Sequence, residues 1–384
     1  MTLIRESVDE ASEAVESFTW RIDDSVLADL RERLDRARLL PASLGRPWSA
    51  LDQGYLAELV ASWRDFDWRA REEWLSAHPQ VLVDVGDTRI HAAHLRASRD
   101  DAPALLVLHG WPHTFALQLD FADLLDDVHV VVASLPGFAF SEPFVDGALT
   151  EERLADTMLT LMQRLGYERF VTYGEDVSAN VSELLAARHP DAVAGIVATH
   201  AHFPSVAQRD ALDDPEVRAF FDRLSDEAPA MSGYAHLQGT RPDTLAAALN
   251  DSPIGLMAYL VEKLAEWSDT PDEPRGLEER ISRERIITEA TVYWETQTIG
   301  TSFRPYFEAD YAAVEIPRVV VPAAVFVQRH EHDYPEALAR DFYRDLRRFE
   351  RLSEGGHFAV AEVPEVMAER MRWFLREIGL LMQP

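Results

Sequence analysis

The spacing of apolar residues changes period along the chain. In "SVLADLRERLDRARLL", Val26, Leu27, Leu30, Leu34 and Leu39 fall near helical spacing, and "LDQGYLAELVASWRDFDWRAREEWLSAHPQ" is again helical and rich in tryptophan. The period then drops to two: "VLVDVGDTRIHAAHLRA" reads as a hairpin turning at Gly86-Asp87. From Ala104 short apolar runs, "ALLVLHGW", "VHVVVASLPGF", "RFVTYGED" and "AGIVATHAHF", alternate with the helical stretches "TEERLADTMLTLMQRLGY" and "VSELLAARH". Strands alternating with helices predict a mostly parallel sheet flanked by helices on both faces, an α/β fold.

After about residue 204 the strand runs stop. "TLAAALNDSPIGLMAYLVEKLAEW" and "SRERIITEATVYWETQTIG" read as helices, "VVVPAAVFVQ" and "FERLSEGGHF" resume the strand-like pattern, and "PEVMAERMRWFLREIGLLM" closes the chain as an amphipathic helix. The expected organisation is an N-terminal helical extension over 1–97, a core over 98–204, a helical cap or lid over 205–312, and the rest of the core over 313–384. With no repeat or long polar linker, these additions are expected to pack onto the core.

Composition narrows the chemistry. Of 384 residues 47% are apolar, enough for a substantial core, and the formal charge of -30 repels nucleic acid and anionic lipid. The absence of cysteine excludes disulfides, thiolate metal sites and a cysteine nucleophile. "MTLIRESVDEASEAVESF" lacks the basic and apolar segments of a secretion signal, and no apolar run reaches membrane-spanning length, so a soluble, cytoplasmic protein without a membrane anchor is expected. A homodimer is the general expectation for such a chain.

"RFVTYGEDVSAN" has the layout of a strand that turns sharply on Gly174 and re-emerges as a helix, with Asp176 at the tip. In α/β-hydrolase folds the nucleophile occupies such an elbow; a carboxylate there can displace at carbon and form an alkyl ester. Asp176 could equally cap the helix that follows. "LVLHGWPHTF" supplies a second turn at a strand end, where Trp111 and Val177 would donate oxyanion-hole N–H groups and Pro112, in a cis bond, would shape the loop beside the substrate. In "LSEGGHF", His357 follows two glycines and suits a general base. "QRHEHDYPE" offers Glu331 or Asp333 to orient it, with Glu331 preferred. His330, Glu331, His332 and Asp333 alternate in an extended loop, which does not favour a metal site. His200 and His202 are read as cavity-lining, and Trp63, Trp68, Trp74, Trp267 and Trp294 as core aromatics.

The segments "HGWP", "LPGFAFS", "YGEDVSAN", "GYAHLQGTRPDTL", "NDSPIGLMAYLVEKLAEWS" and "EGGHF" together resemble the microsomal-type epoxide hydrolases over nearly the whole chain. The resemblance implies an α/β-hydrolase fold with Asp176 as nucleophile, His357 as base, Glu331 as acid, and Tyr234 and Tyr306 as lid phenols that hydrogen-bond the epoxide oxygen. Gln238, four residues past Tyr234, would help bind substrate if that segment is helical. The elbow departs from the family's G-G-D-W-G: Glu175, Val177 and Ser178 replace three of its residues, and Glu175 is expected to raise pKa values nearby. The proline of the acid loop also lies four residues after Glu331, where the family tends to show five. The expected activity is cofactor-independent hydrolysis of a bulky, largely apolar epoxide to a vicinal diol. A haloalkane-dehalogenase-like hydrolase and an inactive small-molecule binder of the same fold are the alternatives.

Overall fold

In the computed structural model, residues 15–41, 51–271, 273, 275–308 and 315–383 are described. The start of the chain read for a secretion signal and the end of the expected cap lie outside the described residues. The strands are β1 (Val15–Phe18), β2 (Gln80–Val85), β3 (Thr88–Leu95), β4 (Ala104–Leu108), β5 (His129–Ala133), β6 (Phe170–Gly174), β7 (Val193–Ala198), β8 (Val319–Val327) and β9 (Tyr343–Arg351). They form one sheet in the order β1-β2-β3-β5-β4-β6-β7-β8-β9. The pairs β1/β2, β2/β3 and β3/β5 are antiparallel, and every pair from β5/β4 to β8/β9 is parallel.

The central strands are apolar throughout because both faces are covered. Leu106 and Leu108 of β4 face a core with Leu154, Met158, Leu184 and Leu185 from the helices Glu151–Arg164 and Val177–Arg188. Leu105 and Val107 face the other way, onto Met367, Met371 and Phe374 of the closing helix Pro364–Glu377. Period-two alternation within an unbroken apolar run thus serves two cores at once.

The hairpin turn is where the sequence placed it, with Gly86 at φ 61°. The strand β1, which adds an edge to the sheet, had no signal beyond four residues of weak alternation. The first helix spans Asp24–Asp35 and stops short of Leu39, which is 44% exposed; the helical spacing of that residue was coincidental. The last strand starts at Tyr343, before the alternation read from Phe349.

Between β7 and β8 the chain runs through helices, including Pro215–Met231, Gly233–Thr240, Pro242–Asp251, Pro253–Trp267 and Arg283–Thr296. The helix Arg283–Thr296 ties the parts together. Its Thr291 hydroxyl accepts from the Trp63 indole at 2.8 Å, and its Thr288 hydroxyl accepts from the buried Arg71 at 2.8 Å. On the core side, Glu289 accepts from the Thr114 N–H at 2.7 Å. No helix among the described residues is long and apolar enough to cross a membrane.

Phe374 reaches the sheet only because β7 carries Gly195. A Cβ there would lie 2.8 Å from the Phe374 ring and 3.0 Å from the Pro322 carbonyl oxygen. Gly195→Ala should cost about 1–3 kcal/mol through overpacking. Adding Phe374→Leu should recover part of that loss; urea unfolding of the two single variants and the double variant measures the coupling.

Candidate active site

The parallel pairing of β4 and β6 sets Leu108 opposite Gly174, so the loops leaving the two strands start side by side. Gly174 allows the following helix to fold back sharply, since a Cβ there would lie 2.2 Å from the Ser178 carbonyl oxygen. Asp176 then takes φ 53°, ψ -125°, a backbone region sparsely populated by non-glycine residues. Its side chain makes no N-cap hydrogen bond. The helix-cap reading of Asp176 is therefore set aside: the carboxylate points away to other partners.

Those partners come from two loops, and a third supports one of them. The Trp111 N–H donates to Asp176 Oδ1 at 3.0 Å, in a loop whose Trp111-Pro112 peptide is cis. The loop can come this close only at a glycine, because a Cβ on Gly110 would lie 2.3 Å from the Asp176 Cβ. Ser178 fastens the same crossing, its hydroxyl donating to the His109 carbonyl at 2.5 Å. His357 Nε2 stands 3.4 Å from Asp176 Oδ2, and His357 Nδ1 is 3.0 Å from Glu331 Oε2. Asp333 lies elsewhere, in an exposed ion pair with Arg351 at 2.6 Å.

Charge is balanced within this cluster. Burial disfavours the Asp176 anion, but the hydrogen bond and charge of His357 and the Trp111 and Val177 N–H groups outweigh it, and its pKa is lowered. Glu331 is held well below its ordinary value: burial opposes its charge, and His357 and His200 overcome that. For His357, burial again opposes charge, yet Glu331 and Asp176 push its pKa up to about 10. The resting site is thus an imidazolium between two carboxylates.

A cavity of about 390 Å³ opens onto Tyr234, Trp267, Glu331 and His357, with exposed Arg329, His330 and His332 at its rim. Tyr234 stacks on Trp111 with ring centroids 5.3 Å apart, and the Tyr306 ring lies 5.7 Å from that of Tyr234. Burial, then the Asp176 charge, raises the Tyr234 pKa, so its phenol keeps its proton. Gln238 is not brought to this cavity. It is fully buried, and its amide donates to the Tyr259 hydroxyl at 3.3 Å. Trp267, read as a core aromatic, is instead a cavity wall, its ring 5.0 Å from that of His357 and its carbonyl accepting the His357 N–H. Trp63, Trp68 and Trp294 are buried.

Glu175 meets its expectation in part. It is fully buried and accepts from the Tyr173 hydroxyl at 2.7 Å, the Gln118 amide at 3.2 Å and the Val360 N–H at 3.2 Å, with His113 Nε2 at 3.2 Å. Burial opposes its charge, but His113 and Tyr173 prevail and its own pKa is lowered. Tyr173 is raised, by burial and then by Glu175, whereas the neighbouring Asp176 is lowered. The Glu175 carboxylate thus links the elbow to the loop after β4 and to the residues following His357.

His200, Glu331 and His357 also place three ligand-type atoms within 4.8 Å of one another. The hydrogen-bond pattern argues against an ion there. The Asp176 N–H donates to His200 Nδ1 at 3.1 Å, which leaves the proton of a neutral ring on Nε2, the atom that would have to bind the metal.

A family profile described as the epoxide hydrolase N terminus matches residues 15–117, and one described as the alpha/beta hydrolase fold matches residues 103–364. Epoxide hydrolase 1 of Sus scrofa is 31% identical, over 97% of this chain and 90% of its own length. The chain belongs to the epoxide hydrolase family. Among solved structures, this family member resembles the juvenile hormone epoxide hydrolase of the silkworm Bombyx mori, with TM-score 0.87 and 26% identity over 95% of each chain. It also resembles the Aspergillus niger epoxide hydrolase, with TM-score 0.82 and 25% identity over 96% of this chain and 97% of that one.

Two outcomes follow for this epoxide hydrolase homologue. Glu175→Ala strands buried donors and should cost about 3–5 kcal/mol in chemical unfolding. The raised pKa of His357 contributes stability that is fully present below its unfolded value of 6.5 and lost as pH rises through about 10. Unfolding measured across that window should show this decline in the wild type and a smaller one in His357→Gln.

Proposed function

We propose that the protein hydrolyses an epoxide to a vicinal diol through an alkyl ester on Asp176. The observation that carries this reading is the division of labour at one carboxylate. Oδ1 accepts the Trp111 N–H, while Oδ2 faces His357, which supports Oδ2 as the attacking oxygen.

Oδ2 attacks a ring carbon, the ring C–O bond breaks, and the developing alkoxide takes a proton from Tyr234 or Tyr306. A phenol with a raised pKa suits this step because it remains protonated until the alkoxide forms. Ester formation removes the negative charge of Asp176, one of the two charges that hold the proton on His357. The imidazolium then gives its Nε2 proton to the phenolate left by ring opening, and the neutral imidazole, oriented by Glu331 at Nδ1, can take a proton from water at Nε2. Water attacks the carbonyl carbon, and the Trp111 and Val177 N–H groups stabilise the oxyanion on Oδ1. Collapse breaks the bond from the carbonyl carbon to Oδ2, which leaves in the diol with the proton that His357 took from water; the water oxygen stays in the carboxyl group, whose remaining proton returns His357 to the imidazolium. The aromatic walls of Tyr234 and Trp267 favour a bulky, largely apolar epoxide.

Styrene oxide in heavy-oxygen water tests the reading. A single turnover should give unlabelled diol and a label in the peptide containing Asp176, whereas a labelled diol from the first turnover would mean direct attack by water. Tyr234→Phe combined with Tyr306→Phe should lower the ring-opening rate by about 10²–10⁴-fold, read as the rate at which alkylated enzyme appears in rapid-quench mass spectrometry.

A further inference from the structure

His200 follows β7, on a loop that contributes nothing to the nucleophile, base or acid. Both of its ring nitrogens are nevertheless committed to that machinery. Nδ1 accepts the N–H of Asp176 at 3.1 Å, the amide of the residue held at φ 53°. Nε2 lies 3.2 Å from His357 Nδ1 and 3.6 Å from Glu331 Oε2. Since His357 Nδ1 carries the proton it shares with Glu331, it has no lone pair to offer His200. The acceptor left nearest the His200 Nε2 proton is therefore Glu331 Oε2, across an electrostatic contact of 3.6 Å, so that this carboxylate faces two imidazoles at once and is lowered by both.

We propose that His200 is a positioning residue for both halves of the reaction, its Nδ1 fixing the nucleophile's backbone and its Nε2–H fixing the acid that orients His357. This rests on the alkyl-ester reading above and adds to it a physical link between the two steps. On the nucleophile side, the acceptor helps hold an unfavourable backbone geometry in which Oδ2 faces the cavity side of the site. On the acid side, a second donor fixes the Glu331 carboxylate, and so the ring plane and tautomer of His357.

The two edges of the ring can be removed separately. In His200→Asn the side-chain oxygen can still accept the Asp176 N–H, but the side chain is too short to reach Glu331. In His200→Gln the longer amide can donate to Glu331 while the Nδ1 acceptor is lost. Rapid-quench mass spectrometry with styrene oxide resolves the rise and decay of the alkylated enzyme. His200→Asn should slow the decay by about 10–100-fold, the usual worth of a partner that orients a functional imidazole, and leave the rise within about threefold of wild type. His200→Gln should show the reverse. If the wild type forms the alkylated enzyme and both variants slow the same step, or neither step, His200 has no such dual role and the proposal fails. If the wild type forms no alkylated enzyme, the ester mechanism fails first and takes this inference with it.

Discussion

The arrangement depends on how closely two parallel strand ends can approach. β4 and β6 are paired in register up to Leu108 and Gly174, and their loops cross with Gly110 pressed against Asp176. Any side chain at Gly110 or Gly174 would drive the loops apart. The Trp111 N–H would then no longer reach Oδ1, and the carboxylate would be buried without its compensating donors. Backbone proximity, more than any single hydrogen bond, is what makes a buried anion tolerable at the tip of the elbow.

Around this crossing the fold keeps three carboxylates ionised within a short span: Glu175, Asp176 and Glu331. Each has its own set of donors. Glu175 is held by His113, Tyr173, Gln118 and a backbone N–H; Asp176 by Trp111 and His357; Glu331 by His357 and His200. The outcome differs by position. Glu175 is fully buried, while Asp176 and Glu331 stay partly open on either side of His357, which lines the cavity. In a chain of net charge -30, such local compensation matters more than the overall field.

The N-terminal helices and the cap are coupled to this centre through one helix, Arg283–Thr296. Successive turns of it receive Arg71 and Trp63 from the N-terminal part, and its buried Glu289 holds Thr114, three residues beyond Trp111. The Trp111 loop is thereby braced from this helix as well as from the sheet. Packing of the N-terminal extension and placement of the Trp111 N–H are parts of one connected set of contacts.

The residues at strand ends were legible in the sequence because each carries a local signal: Gly174 before Asp176, the turn of "HGWP", and paired glycines before His357. Glu331 was separable from Asp333 only as a preference, since residues two apart in an extended loop point to the same side; in the folded chain Glu331 meets His357 while Asp333 pairs with Arg351. His200, Trp267, His113 and Glu175 left little trace, because a buried histidine or glutamate looks the same in sequence whether it packs, pairs or positions. Gln238 shows the converse: helical spacing from Tyr234 was right, yet the helix turns that face onto Tyr259. The sequence by itself determined the alternation of elements, the elbow and the chemical types available, because these follow from periodicity and from glycine at turns. Only the tertiary structure decided which distant polar groups share a proton, because hydrogen bonds among residues tens to hundreds of positions apart depend on how the loops converge over the sheet.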